Sequence, residues 1–229
     1  MTARPPIQRV VVAVPARDEA ATLDACLTSL ERACAAVPLV RTSLVLLLDA
    51  CTDDSAEIAA RHPLVRTIER SYESVGRSRA AAIEAALASA PEADDAVWIA
   101  MTDGDGVVPR RWLREHLRAA ATADAYVGAV VPRLDDLDDP RRRVWHARHS
   151  PGAALGHVHG ANLGVRAGAY RMVGGMEPLA TGEDVALVDR LRAAGVAIAA
   201  SEEQPVITSA RLSGRAPDGY AAYLTALAP

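Results

Sequence analysis

Four short apolar runs alternate with helix-forming segments over the first hundred residues of the chain. The runs are RVVVAV at 9–14, SLVLLLDA at 43–50, LVRTIE at 64–69 and AVWIAM at 96–101. The segments between them carry apolar residues at spacings of three and four, the period of an amphipathic helix. Strands that are apolar at successive positions are typical of parallel sheets buried on both faces. The pattern predicts an α/β fold, with a doubly wound, mostly parallel central sheet and helices on both faces.

The length and composition of the chain favour one substantial core. Its 229 residues are 50% hydrophobic, and no internal repeat or low-complexity linker divides them, so a single domain is expected over 1–229. The net charge is −4, the basic residues are scattered arginines, and there is no lysine. Such a chain has no basic face for nucleic acid, and we expect no nucleic-acid partner.

Polar residues cluster where three of the four runs end. PARDEA (15–20) follows the first run, DACTDDS (49–55) ends the second, and TDGDG (102–106) follows the fourth. Ligands of such sheets bind outside the carboxyl ends of the strands, where the strand order reverses, so these segments are predicted to form one site. Neither the G-x-G-x-x-G fingerprint nor a P-loop follows the first run, which disfavours a dinucleotide-binding domain. Asp103 and Asp105 are like charges one residue apart, and a cation would relieve their repulsion.

The cysteines and the absence of long apolar stretches indicate the compartment. Cys26, Cys34 and Cys51 are odd in number and lack C-x-x-C spacing, so neither a disulfide framework nor a zinc site is expected. No stretch approaches the roughly 20 apolar residues of a membrane span, and the N-terminus lacks the apolar core of a signal peptide. We therefore expect a cytoplasmic protein without an integral membrane segment. The sequence does not decide between a monomer and a homodimer.

Six motifs in a fixed order resemble the family 2 glycosyltransferases with the GT-A fold. They are VVVAVPARDEA, LLLDACTDDS, VGRSRAAAIEAAL, MTDGDGVVPRRWL, HGANLGVRAGAYRMVGG and GEDVALVDRLRAAG, and they extend from about residue 9 to about residue 200. The resemblance implies transfer of a sugar from a nucleoside-diphosphate sugar to a hydroxyl of an acceptor. It also implies a donor-binding half over about 1–106 and an acceptor-binding and catalytic half over about 107–229.

The resemblance implies a metal cofactor at the strand-end D-x-D. In this family that motif binds Mg²⁺ or Mn²⁺, which bridges the pyrophosphate of the donor. Asp105 matches the metal ligand, and Asp103 is expected nearer the ribose or a metal-bound water, so both are candidates for the metal site. Carboxylate oxygens suit a hard cation that also takes phosphate oxygens. A turn rich in Asp and Gly, without a ligand, is the alternative explanation.

Further donor-binding residues follow from the same resemblance. Asp49 corresponds to the aspartate that hydrogen-bonds the nucleobase, which favours UDP over GDP without excluding GDP. The other candidates are Pro15, Ala16, Arg17 and Glu19 in the loop after the first strand, Arg79 at a helix start with Arg77 as its weaker alternative, and Arg211 and Arg215 in the late segment TSARLSGR.

The GED motif supplies the catalytic candidates that the resemblance implies. In inverting members its aspartate deprotonates the acceptor hydroxyl, so Asp184 is the predicted base and Glu183 is predicted to orient the acceptor or a loop. On spacing alone, Asp184 completes a helix-capping box with Thr181 as the cap. His159 and Asn162, next to the inferred acceptor site, are predicted to contact the acceptor.

These features predict a metal-dependent, inverting glycosyltransferase of the hexosyltransferase type with a small or soluble acceptor. The Q-x-x-R-W motif of processive synthases does not occur in the C-terminal stretch, which favours single-sugar transfer. A retaining outcome stays open, because GT-A folds host both outcomes. A sugar nucleotidyltransferase is one alternative, although PARDEAAT is not the glycine-rich basic loop expected of one. A non-catalytic nucleotide-sugar-binding scaffold is the other, and the presence of both DGD and GED argues against it.

Overall fold

The computed structural model describes residues 4–149, 152, 157–214 and 219–227. The strands are β1 (Arg9–Ala16), β2 (Arg41–Asp49), β3 (Val65–Arg70), β4 (Val97–Met101), β5 (Ala125–Pro132), β6 (Leu163–Arg166) and β7 (Ile198–Thr208). The helices are α1 (Leu23–Ala35), α2 (Ser55–Ala60), α3 (Val75–Leu87), α4 (Trp112–Ala120), α5 (Asp139–Arg148), α6 (Ala167–Met172), α7 (Glu183–Ala193) and α8 (Tyr220–Thr225). In the described parts of the chain, no helix combines the length and the apolar character needed to span a bilayer.

The strands form one mixed sheet in the order β3-β2-β1-β4-β6-β5-β7. β1 pairs in parallel with β2 and β4, and β2 pairs in parallel with β3. β6 runs antiparallel between β4 and β5, whereas β7 is parallel to β5. The predicted mostly parallel, doubly wound sheet is confirmed. Because β4 pairs with β6, one sheet runs through both predicted halves of the chain.

Helices cover both faces of the sheet, which explains why the central strands β1 and β4 are apolar at successive positions. Val10, Val12 and Val14 of β1 pack into one core with residues of α1 and α4. Val11 and Ala13, which point to the opposite face, pack into a second core with residues of α3, α6 and α7. The residues from Val10 to Val14 are therefore removed from water by one layer of helices or the other.

The strand order reverses beside β1. The chain moves outward from β1 to β2 and β3, and then returns to place β4 on the other side of β1. The loop after β4 stays at this junction, because the Gly104 N–H donates to the Pro15 carbonyl oxygen at 3.2 Å. A Cβ at position 104 would lie 2.7 Å from the Cβ of Ala16, so the close approach requires glycine. This junction is where open α/β sheets bind their ligands.

A small third core holds α8 against α5. Leu224 and Leu227 are buried against Leu137, Trp145 and Ala210. Tyr220 and Tyr223 pack against the same core, and both also line a cavity near the carboxyl edge of the sheet.

Candidate active site

Two adjoining cavities lie beyond the carboxyl ends of β1 and β4. The first is lined by the loops after β1 and β3, by Asp103–Asp105, and by residues 208–211. The second has a volume of about 400 Å³ and is lined by the start of α7, residues 157–161, and α8. Asp103 belongs to the lining of both cavities. The three strand-end segments singled out in the sequence therefore do meet at one edge of the sheet.

Asp103 and Asp105 lie together at the end of β4, as predicted. Asp105 is 9% exposed; it accepts a hydrogen bond from the Thr208 hydroxyl at 3.1 Å and lies 3.3 Å from the Arg211 guanidinium. Burial, reinforced by the negative charge of Asp103, raises the pKa of Asp105 to about 6. Burial also raises the pKa of Asp103, despite its ion pair with Arg79. A further positive charge nearby would therefore stabilise the ionised form of both carboxylates.

Arg211 brings a positive charge into the first cavity. Its guanidinium donates to both carboxylate oxygens of Glu19, at 2.7 and 2.8 Å, in the bidentate geometry of a strong ion pair. Both residues were predicted to bind the donor, and both line this cavity. Arg215, the other arginine predicted from this segment, lies outside the described residues.

Asp49 organises the loop between β3 and α3. Its carboxylate accepts hydrogen bonds from the backbone N–H groups of Tyr72, Glu73 and Ser74, at 2.6, 2.9 and 3.1 Å, and from the Ser78 hydroxyl at 2.7 Å. Burial acts to raise the pKa of Asp49, but these hydrogen bonds outweigh it and hold the pKa below its usual value. Asp49 lines the first cavity, yet most of its acceptor capacity is already used within the chain.

The loop after β1 also reaches the first cavity as predicted, since Pro15, Ala16 and Arg17 all line it. The Arg17 guanidinium donates to the Glu73 carboxylate at 2.9 Å and so links the loops after β1 and β3.

Three residues that the sequence did not single out have strained backbones at this edge. Asp18, Ala50 and Glu73 have φ angles of 46°, 51° and 50°, and they follow β1, β2 and β3 in turn. Non-glycine residues seldom adopt the left-handed region, and such strain concentrates at functional sites. Asp18 belongs to a residue type that is enriched in this region, whereas Ala50 and Glu73 carry no such local signal.

Arg79 joins the two cavities from inside the protein. It is 2% exposed; its Nη2 donates to Asp103 at 2.6 Å, and its Nε lies 3.4 Å from the Glu183 carboxylate. Burial acts to lower the pKa of Arg79, but the charges of Asp103 and Glu183 outweigh it. Nη1 packs against Gly160, where a Cβ would overlap it. Arg79 therefore holds two carboxylates of the site in place.

α7 starts at the second cavity with Glu183 and Asp184. Gly182, with a φ of 75°, occupies the cap position without a side-chain cap bond, so the capping box with Thr181 does not form. Glu183 is buried, and that burial raises its pKa although Arg79 acts in the opposite direction. Asp184 therefore does not take part in a capping box at the start of α7.

Asp184 is held by two backbone amides at the edge of the second cavity. The Gly160 N–H donates to its Oδ2 at 2.6 Å, and the Val185 N–H donates to its Oδ1 at 2.8 Å. The side chain is partly exposed and lines the cavity. The carboxylate is therefore fixed in orientation and accessible.

The two predicted acceptor contacts lie in different environments. His159 lines the second cavity, and burial lowers the pKa of its imidazole. Asn162 lies outside the described linings of both cavities and is 0% exposed. It accepts a hydrogen bond from Trp112 at 2.8 Å and donates to the carbonyl oxygens of Ala129 and Gln204 at 2.8 and 3.3 Å. Instead of facing an acceptor, Asn162 ties together elements of the core.

The sequence analysis also missed the aromatic side of the second cavity. His149 follows α5, while Tyr220 and Tyr223 come from α8, and all three rings line the cavity. The available signal was the spacing of three between the tyrosines, which puts them on one helical face.

A family model supplies the decisive comparison. The model of Glycosyl transferase family 2 matches residues 11–173, most of the chain. The chain belongs to glycosyl transferase family 2. The family match covers Asp49, Arg79 and the D-x-D of Asp103 and Asp105, while the GED motif lies beyond it. A search of curated proteins gave no significant match.

Solved glycosyltransferases share the GT-A fold of this family 2 chain. Mannosyltransferase PcManGT from Pyrobaculum calidifontis, in complex with GDP-Man and Mn²⁺, has a TM-score of 0.64 and 20% identity over 96% of this chain and 60% of its own. TarS 1-349 from S. aureus, in complex with UDP-GlcNAc, has a TM-score of 0.68 and 12% identity over 93% of this chain and 62% of its own.

A third similar structure is glucosyl-3-phosphoglycerate synthase from Mycobacterium tuberculosis, in complex with Mn²⁺, UDP and glucosyl-3-phosphoglycerate. It has a TM-score of 0.54 and 16% identity over 86% of this chain and 71% of its own. The chain spans about three fifths of the length of the mannosyltransferase and of the TarS segment. At these identities the likeness establishes the fold.

Proposed function

We propose that this family 2 chain is a metal-dependent, inverting glycosyltransferase that moves a sugar from a nucleoside-diphosphate sugar to an acceptor hydroxyl. The observation that carries the proposal is the position of Asp103 in the lining of both cavities. The paired carboxylates lie in the first cavity and Asp184 lies in the second. We assign the first cavity to the donor and the second to the acceptor, so that the reacting atoms meet where the cavities join.

Asp103 and Asp105 fit a divalent cation, Mg²⁺ or Mn²⁺. Both offer hard oxygen ligands, and the raised pKa values reflect burial and repulsion that a cation would relieve. When bound, the cation would offset negative charge on the departing nucleoside diphosphate. The mannosyltransferase and the phosphoglycerate synthase that resemble this chain were both solved with Mn²⁺, which supports the assignment.

The residues around the donor cavity complement a pyrophosphate and a base. Arg211 lines this cavity and can bring its guanidinium to the diphosphate. Arg79 lines the second cavity instead, and it supports the donor site through its ion pair with Asp103. We propose UDP ahead of GDP because Asp49, which matches the base-binding aspartate of the family, lines this cavity. Four hydrogen bonds from the chain already reach its oxygens, so contact with uracil would require one of these donors to be displaced or shared. The similar structures contain GDP-Man and UDP-GlcNAc, so both diphosphates belong in the test.

We assign the role of general base to Asp184. Each of its oxygens accepts one backbone N–H, which leaves acceptor capacity on both for a substrate hydroxyl. The first turn of α7 stabilises the anion, so Asp184 is a weak base and takes the proton as the acceptor oxygen attacks. Attack from the second cavity, opposite a diphosphate leaving into the first, inverts the anomeric carbon.

We retain the division into a donor half over 1–106 and an acceptor half over 107–229, although each cavity also has lining residues from the other half. Thr208 and Arg211, from the second half, contribute to the donor cavity, and Arg79 and Asp103, from the first half, contribute to the second cavity. The three cysteines are free, which fits the expected reducing compartment, and we propose the cytoplasm as the site of the reaction.

The test is calorimetric titration of the purified protein with UDP, GDP, ADP and dTDP, each with Mn²⁺ and with a chelator. We expect one nucleotide to bind with Mn²⁺ and to lose at least tenfold in affinity with the chelator, about 1.4 kcal/mol. Asp105→Ala is expected to remove the metal-dependent part of the binding.

Asp135→Ala is the matched control, because Asp135 is exposed and lines neither cavity. It should bind the nucleotide like the parent protein. Failure of all four nucleotides to bind would contradict the proposed function, and binding that the chelator does not change would remove the metal from it.

A further inference from the structure

The second cavity has a continuous aromatic side, which we call the aromatic wall: His149, His159, Tyr220 and Tyr223. Ring centroids are 5.6 Å apart from His159 to Tyr220, 5.7 Å from Tyr220 to Tyr223, and 5.9 Å from Tyr223 to His149. Behind His149, the ring of Trp145 is stacked at 4.2 Å and 8°. Three separate parts of the chain, α5, α8 and the segment before β6, therefore present rings to one cavity.

Hydrogen bonds fix the ring of His149 and indicate its tautomer. Nδ1 lies 2.8 Å from the carbonyl oxygen of Trp145, and because a carbonyl only accepts, Nδ1 carries the proton. Nε2 lies 3.3 Å from the Tyr223 hydroxyl, so both ring nitrogens of His149 have partners within the chain. Burial lowers the pKa of His159, which favours a neutral ring there. The wall therefore presents ordered aromatic surface.

The charged groups of this cavity disfavour an anionic ligand. Asp103, Glu183 and Asp184 line it, and all three are acidic. Arg79 is the only arginine among the described lining residues, and its charge is shared between Asp103 and Glu183. Within the described lining, a phosphorylated or carboxylated acceptor would thus meet three acidic groups and one arginine whose charge two of them already share.

We infer that the aromatic wall binds the ring of an uncharged glycoside and so presents one of its hydroxyls to Asp184. A sugar ring has an apolar face of C–H groups, which packs on aromatic faces, and a rim of hydroxyls, which suits the carboxylates. The cavity, at about 400 Å³, lies within the usual range for small-molecule sites. This inference rests on the proposed function, since it names the class of acceptor for the same site.

The test uses saturation-transfer NMR and calorimetry on the full chain with Mg²⁺ and the nucleotide that binds most tightly. The probes are the methyl glycosides of glucose, mannose, galactose and N-acetylglucosamine, with 3-phosphoglycerate and glycerol for comparison. We expect at least one glycoside to bind, with saturation transferred to the C–H protons of one ring face. Glycerol and 3-phosphoglycerate are expected to bind at least tenfold more weakly.

Variants of the aromatic wall connect that binding to its rings. Tyr223→Leu and His149→Ala should each weaken glycoside binding about tenfold, the order expected for loss of a stacking ring. Tyr223→Phe keeps the ring and should keep the binding. His146→Ala is the matched control, because His146 belongs to the same helix but is exposed and does not line the cavity. Circular dichroism and melting curves establish that each variant is folded.

The outcomes separate this inference from the proposed function. Nucleotide and metal binding without any glycoside binding overturns the inference alone, as does tighter binding of 3-phosphoglycerate than of every glycoside. Glycoside binding that Tyr223→Leu and His149→Ala leave unchanged also overturns it. Absence of nucleotide binding contradicts the proposed function itself.

Discussion

Arg79 has almost no contact with water, and its charge is balanced by Asp103 on one side and Glu183 on the other. Removing one partner of a buried ion pair leaves the others charged and unpaired, which is costly. At the same time, the planar guanidinium fixes the relative positions of two carboxylates that belong to different cavities. The residue is best described as a positioning residue.

Substitution of Arg79 should affect stability and turnover differently. Arg79→Met should lower the free energy of unfolding by about 3–5 kcal/mol, because both carboxylates lose their partner. Arg79→Lys keeps the positive charge but loses the planar guanidinium, which can donate to two carboxylates at once. We therefore expect kcat to fall while the Kd for the nucleotide changes little. Urea unfolding and steady-state kinetics measure these effects.

Arg77→Met is the matched control for these two variants. Arg77 is exposed two positions earlier on the same helix, so stability and kcat should remain near those of the parent. An unchanged kcat in Arg79→Lys would contradict the positioning role.

Asp49 offers a pH-dependent prediction. Asp49→Asn should cost about 1–3 kcal/mol at pH 7, because a carboxamide cannot accept all the hydrogen bonds that the carboxylate accepts. The folded-state pKa is lowered, so the carboxylate stabilises the fold above the unfolded-state pKa of about 3.9. That contribution is lost as the pH falls through the folded-state pKa.

Urea unfolding of the parent and of Asp49→Asn between pH 3 and pH 7 measures the effect. The difference in unfolding free energy should be constant near neutrality and shrink below about pH 4. A difference that grows on acidification would contradict the assigned hydrogen bonds.

For individual residues, the sequence predicted their positions in the fold better than it predicted their contacts. Asp49, Asp103 and Asp105 follow strands, and parallel strands that end together bring such residues together. For Asn162 the motif identified the segment, but the direction of its side chain depends on Trp112, 50 residues away. Arg79 was expected at the donor, whereas its described partners are carboxylates of the protein itself.

The element that controls the proposed base is the start of α7 together with the turn Gly160–Asn162. The turn donates the Gly160 N–H to Asp184 and packs against Arg79. The turn thereby contacts both Asp184, the proposed base, and Arg79, the residue that holds Glu183. A shift of the turn would disturb both.

Asp184→Asn tests the chemical role of α7. Removal of a general base should lower kcat by about 10²-fold or more, while the Kd of the nucleotide with Mn²⁺ stays near the parent value. Product formation and calorimetry are the measurements.

Asp189→Asn is the control, since Asp189 is an exposed carboxylate on the same helix. Full activity in Asp184→Asn would remove Asp184 from the mechanism. It would also favour a different base in the same cavity.

Gly160→Ala tests the turn. The added Cβ would overlap Nη1 of Arg79, so the guanidinium must move and its ion pairs with Asp103 and Glu183 must lengthen. We expect a lower kcat and a loss of about 1–3 kcal/mol in stability, the usual cost of overpacking.

The effect of Gly160→Ala should be much smaller in the Arg79→Met background, where the overlapping group is gone. A double-mutant cycle compares the two backgrounds. Equal effects of Gly160→Ala in both would show that the contact between position 160 and Arg79 does not couple the two residues.

Among the elements, β1 and β2 were predicted to within a few residues because each contains a run of successive apolar residues. β6 has four residues and depends on pairing with β4 and β5. α8 depends on packing against α5. Neither carries enough local pattern to be recognised without its partners.

For the whole molecule, ligand binding should appear as thermal stabilisation. At about 100 times its Kd, the preferred nucleotide with Mn²⁺ should add about 2.7 kcal/mol and raise the Tm by about 5–10 °C. Differential scanning fluorimetry measures the shift, with the nucleotide plus chelator and Mn²⁺ alone as controls. An equal shift with the chelator would contradict metal-dependent donor binding.

The first half of the fold was predictable because each of its strands is marked by its own apolar run and all of them pair in parallel. The second half was not, because the short strand β6 is inserted antiparallel between β4 and β5, and no local pattern marks that position. The aromatic wall has the same origin. Its rings come from segments about 70 residues apart that meet only in the folded chain.

The ion pairs of Arg79 also constrain how such a molecule can diverge. A change at the junction of the cavities alters Asp103 and Glu183 together, so it reaches both substrates at once. Among the described residues, His149, Tyr220 and Tyr223 share no ion pair or hydrogen bond with Arg79. Under the proposed assignment of the two cavities, the aromatic wall can therefore change without a change at the junction, so a new acceptor needs fewer coordinated substitutions than a new donor chemistry.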